Sequence, residues 1–79
     1  PECPLPARER VILDLVADGR ANKEVALTLD IAERTVKNHM ANILDKLDAR
    51  SRAHAVRMGV ENRWICQEEL EEDLLELAA

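Results

Sequence analysis

Apolar positions recur at helical spacing along most of the chain. Between Ala7 and Asp18, Ile12, Leu15 and Val16 fall on one face, and Gly19 follows as a residue suited to a left-handed cap, so the spacing predicts a first helix. Asn22 offers an N-cap for a second helix of about two turns carrying Val25, Ala26 and Leu29. The break Asp30-Ile31-Ala32 holds neither Gly nor Pro and is too short for a wide reversal, so the helices on either side of it must cross steeply. The third helix, from about Glu33 to Leu47, has the clearest pattern. With about 100° of rotation per residue, Val36, Met40, Ile43 and Leu47 fall within about 60° of arc. Arg34, Asn38, Ala41 and Asp45 then lie about 140 to 200° away, with Lys37 near 100° on the shoulder.

A fourth helix is predicted from Ser51, whose hydroxyl can cap it, through Ala55, Val56 and Val60 toward Asn62, with small apolar residues exposed along its middle. Leu70, Leu74 and Leu77 predict a further acidic amphipathic segment after Cys66. No strand-like alternation and no internal repeat occur, so the expected fold is all-α. The prolines, all in the opening PECPLP, favour an extended entry. The expected division is therefore a linker end at 1–5, a helical domain at 6–65 and an acidic extension at 66–79.

Charge changes the picture through its location. The 79 residues carry a net charge of −5, which evenly spread would disfavour a nucleic-acid partner. Residues 66–79, however, hold six acids and no base, leaving ten acids against eleven bases in 1–65. Between 34 and 52 the bases Arg34, Lys37, Lys46, Arg50 and Arg52 face only Asp45 and Asp48. With Trp64 as the sole aromatic, platforms that stack single-stranded bases are excluded. The longest apolar run falls far short of the roughly 20 residues of a membrane span, and Cys3 and Cys66 follow no signal-like stretch. The expected setting is the reducing cytoplasm.

A short helix, a tight break and a longer helix with an outward polar face form the helix-turn-helix arrangement, whose second helix enters the DNA major groove. There Asn38 can pair with adenine and Lys37 with guanine, each good contact adding roughly 1–3 kcal/mol of discrimination. Thr35, Lys23, Lys46, Arg50 and the leading amides of the second and third helices, Asn22 among them, would meet phosphates and fix register.

The segment LPARERVILDLVADG resembles LTxREREVLxLLAxG, the opening of the LuxR-type (NarL/FixJ) bacterial DNA-binding domain. NKEVALTLDIAERTVKNHMANILDKLDARSR is similar to its NKEIAxxLxISxxTVKxHxxNILxKLxxxSR, and HAVRMGVENRWI to its closing helix. The resemblance spans about residues 5 to 65 and implies a four-helix bundle that binds specific duplex DNA as the effector domain of a transcriptional or response regulator. It further implies a homodimer through the last helix, assigned to Ala55, Val56, Gly59 and Val60, and admits RNA polymerase as a partner. Carried onto matching positions, Lys37, Asn38 and Ala41 become base-facing, and Lys23, Arg34, Thr35 and Lys46 phosphate-facing. Pro6 and Ala32 stand where the family usually has Thr and Ser, which removes up to about 1 kcal/mol of capping at each helix start.

Other chemistries lack a pattern. No glycine-rich phosphate loop or nucleophile elbow is present, so no enzymatic activity and no cofactor are expected. The two Cys and two His form no C-x2-4-C or H-x3-5-H pair, so no metal site is expected. His39, about 60° from the apolar stripe, is expected to pack or pair, and His54 to lie on the surface. A second functional class stays open, in which the acidic leucine segment 66–79 binds a protein partner or masks the DNA-binding face.

Overall fold

A helix with one apolar stripe is stable only when that stripe is covered, and the chain meets this need by packing its helices against each other. The computed structural model describes residues 3–65; the acidic segment 66–79, with Cys66 and its leucines, lies outside the described residues. Four helices follow in order: α1 (Ala7–Ala17), α2 (Asn22–Leu29), α3 (Glu33–Leu47) and α4 (Arg52–Glu61). Among the described residues there is no strand, so the four-helix, all-α architecture expected from the periodicity is the observed one. The core is aliphatic. Ile12, Leu13, Val25, Val36 and Ile43 are fully buried, and Val16, Ala26, Met40, Leu47, Ala55 and Ile65 join them. Leu5 is also buried, so packing begins one residue ahead of the boundary read from the prolines.

The helix ends share one device. Gly19, Asp30, Asp48 and Arg63 all take positive φ, at 88°, 55°, 52° and 59°. Each is followed by an amide that reaches back five residues: Arg20 N–H to Leu15 O, Ile31 to Ala26, Ala49 to Leu44 and Trp64 to Gly59. This is the Schellman arrangement, which satisfies carbonyls that have no partner within the helix. Only the glycine was legible as such a cap; the other three positions place a side chain where the left-handed backbone costs roughly 1–2 kcal/mol. Asp48 and Asp30 are among the residue types that tolerate it best, and Arg63 is not.

Starts differ more than ends. Ser51 caps α4 as expected, its Oγ accepting from His54 N–H at 3.1 Å. Asn22 does not cap α2: the N-cap is Ala21, whose N–H donates to Glu24 Oε1 at 3.2 Å, and Asn22 is the first helical residue. The physical reason is that the Asn22 amide is engaged elsewhere, accepting from Arg52. Pro6 and Ala32 provide no side-chain cap to α1 and α3.

The fourth helix corrects one expectation. Ala55 is fully buried, and a Cβ added to Gly59 would lie 3.1 Å from the side chains of Leu13 and Ile65. Both residues therefore line the seam between α4 and the body of their own chain. They cannot also form the exposed face assigned to a dimer; of that set, Val56 and Val60 are half-buried, and the outermost positions of the helix are Ala53, Arg57 and Glu61.

Candidate nucleic-acid interface

The α2–α3 pair is held by its short connection. Asp30 turns left-handed at the end of α2, Ile31 tucks part of its side chain against the core, and Ala32 starts α3, where its carbonyl takes Val36 N–H at 3.2 Å. A left-handed residue reverses the chain within one peptide, which explains how a three-residue break without Gly or Pro serves as the turn.

Helix α3 then displays two opposite faces. Val36, Met40, Ile43 and Leu47 are buried, whereas Arg34, Lys37, Asn38 and Ala41 are exposed, as the rotation of the helix requires. Burying each large aliphatic side chain contributes roughly 1.5–3 kcal/mol, so rotating this helix to hide its polar face would forfeit several such terms at once. Thr35 is half-buried at the edge, and Lys23 stands exposed in the first turn of α2.

A buried carboxylate fixes α3 against α1. Glu9 is only 4% exposed, and its Oε1 accepts from Lys46 Nζ at 2.7 Å while Oε2 lies 3.4 Å from His39 Nδ1. The two partners sit about two turns apart on α3, so one acidic side chain restrains both the rotation and the axial position of the helix. Burial pushes the Glu9 carboxyl up, but hydrogen bonds from Lys46 and His39, with their charges, outweigh it and leave the group below its ordinary value. His39 thus pairs, as expected. Lys46, assigned to phosphate, spends its ammonium on Glu9 and keeps its side chain 38% exposed.

The start of α4 is anchored as well. Arg52 donates from Nη1 to Asn22 Oδ1 at 2.6 Å and from Nη2 to the Arg20 carbonyl at 2.8 Å. Arg50 is exposed, and its backbone N–H donates to His54 Nδ1 at 3.0 Å; His54 is therefore a half-buried brace and not a plain surface residue.

Sequence reasoning missed Glu9 and Arg52 as members of this assembly. Glu9 carried a readable signal, since it occupies the first position of the stripe Glu9, Ile12, Leu13, Val16, where an acid calls for a buried partner. Arg52 carried none, because its partners, Arg20 before α2 and Asn22 at its first position, lie 32 and 30 residues earlier.

Among the described residues, no group of three or more His, Cys, Asp or Glu is placed to hold a metal ion, and no helix is long and apolar enough to cross a membrane. What the geometry defines is a helix-turn-helix unit whose second helix presents a small polar face between basic flanks. Comparison with known proteins gives that class a family. Residues 4–59 match the model of the bacterial regulatory proteins of the luxR family, and the chain belongs to that family of DNA-binding domains of transcriptional regulators. It is 43% identical over 61 residues to the transcriptional regulatory protein DesR of Bacillus subtilis (strain 168), covering 77% of this chain and 31% of that protein. It is 46% identical over 56 residues to the transcriptional regulatory protein FixJ of Rhizobium meliloti (strain 1021), covering 71% of this chain and 28% of that protein. The chain thus spans about a third of the length of these relatives. Among solved structures, the transcription factor GerE superposes with a TM-score of 0.77 at 29% identity, covering 82% of this chain and 97% of that one. The response regulator ChrA of a heme-sensing two-component system gives a TM-score of 0.75 at 37% identity, covering 82% and 32%. The family is a class of DNA-binding regulators and not of enzymes.

Proposed function

We propose that the chain recognises specific sequences in duplex DNA by inserting the leading turns of α3 into the major groove. Lys37, Asn38 and Ala41 face base edges, where lysine pairs with guanine, asparagine with adenine, and the Ala41 methyl makes apolar contact with thymine. Asn22, Lys23, Arg34, Thr35 and Arg50 meet phosphates and set the register, with Lys46 joining them where it leaves Glu9. The observation that carries this reading is the exposure of Lys37, Asn38 and Ala41 on a helix whose opposite stripe is buried. Two copies joined through the outer face of α4, with Val56 and Val60 in the seam, would address half-sites about one helical turn apart.

In this reading residues 6–65 form the DNA-binding domain of a bacterial response regulator working in the cytoplasm, with 1–5 as the end of a linker, 66–79 as an acidic extension and RNA polymerase as a further partner. An electrophoretic shift assay on duplexes selected from a random pool tests the core of it. Lys37→Ala and Asn38→Ala should each weaken selected sites about 5- to 150-fold and relax preference at the contacted base. Equal affinity of both variants for selected and unselected duplexes relative to the parent chain contradicts it.

A further inference from the structure

The contact between α4 and the start of α2 has a chemical direction. A guanidinium donates and has no acceptor, so the atom of Asn22 that meets Arg52 Nη1 at 2.6 Å has to be the amide oxygen. The amide nitrogen is thereby turned to the other side. It makes no hydrogen bond within the described residues, and Asn22, half-buried, contributes to the surface at the start of α2. That surface is an open groove lined by Gly19, Ala21, Lys23, Glu33 and Arg52. Arg52 is itself fixed by its second bond to the Arg20 carbonyl at 2.8 Å, so the orientation it imposes is not loose.

We infer that Arg52 is a positioning residue for DNA binding: by holding the Asn22 oxygen it presents the Asn22 Nδ2 donors, beside Lys23, to a backbone phosphate. The inference rests on the DNA-binding reading above. An unrestrained amide would offer oxygen or nitrogen by a simple flip, and the oxygen repels a phosphate. The held amide offers only donors, and accepting from a cation polarises it so that those donors are stronger. The residue that sets this donor is the first of α4, so the α2 contact with DNA depends on where α4 sits.

A double-mutant cycle separates this role from simple bracing. Binding of the complete chain to a labelled duplex of arbitrary sequence is measured at low salt, with thermal melts of each variant alongside. Asn22→Ala should weaken binding about tenfold, and Arg52→Met should weaken the parent chain several-fold more than it weakens Asn22→Ala, because freeing the amide matters only where the amide is present. The lost positive charge of Arg52 acts alike in both backgrounds and cancels in the cycle. Where Arg52→Met melts below the assay temperature, all four proteins are compared at a lower temperature at which each is folded. An equal loss from Arg52→Met in the parent and Asn22→Ala backgrounds, or full affinity in either single variant, overturns the assignment while leaving DNA binding intact. Absence of salt-dependent binding by the parent chain would instead take down the DNA-binding reading and this inference with it.

Discussion

Removing the charge of Glu9 tests whether a buried ion pair holds the recognition helix in place. In Glu9→Gln the side chain keeps its shape and an acceptor for Lys46, and only the charge is lost. For a fully buried pair the loss of one partner costs about 3–5 kcal/mol, and for a surface pair about 0–1 kcal/mol. Glu9 is 4% exposed but the Lys46 side chain is 38% exposed and can regain water, so an intermediate cost of about 1–3 kcal/mol follows. In a domain of this size that lowers the melting temperature by about 4–24 °C. The pH dependence gives an independent sign. The Glu9 carboxyl lies lower in the folded chain than its ordinary value of 4.5, so the ion pair contributes stability in full above that value and loses it as pH falls through the folded one. Circular-dichroism melts of parent and variant should therefore differ by a constant amount near neutrality and converge in acid. Equal stability at neutral pH, or a difference that persists undiminished in acid, refutes the clamp.

Three further outcomes follow from the packing and the caps. Gly59→Ala should destabilise the chain by about 1–3 kcal/mol in chemical denaturation, because the added methyl lies 3.1 Å from Leu13 and Ile65 side chains, despite the better helix propensity of alanine. Asp48→Gly should raise the melting midpoint by several degrees, relieving up to about 1 kcal/mol of left-handed backbone strain between α3 and α4. Ala32→Ser should stabilise by about 1 kcal/mol in the same melts, since it supplies the missing side-chain cap of α3.

How much of this was legible in the sequence depends on the range of the interaction. The bounds of α3 and the burial of its stripe followed from periodicity alone, and Ser51 as a cap followed from a hydroxyl placed just before a helix. These are local properties, fixed by residues within one or two turns. The expected Asn22 cap failed because a long-range donor, Arg52, claims the side chain that a local argument would spend on the α2 amides. The face of α4 was misjudged for a related reason. Small residues read equally well as an exposed dimer seam or as a place where two helices approach closely, and only the presence of Leu13 and Ile65 against Gly59 decides between them. Glu9 sat in plain view on an apolar stripe, and what its position required, two partners from α3, is supplied by Lys46 and His39.

Contact with DNA is assigned above to the exposed turns of α3. The most direct measurement is an amide chemical-shift map of the chain titrated with a selected duplex. The largest shifts are expected at Lys37, Asn38 and Ala41, with a second cluster at Asn22 and Lys23 and little change at Val11 and Asp14, which are exposed on α1. Shifts centred on α1 or α4, with the leading half of α3 unmoved, contradict it.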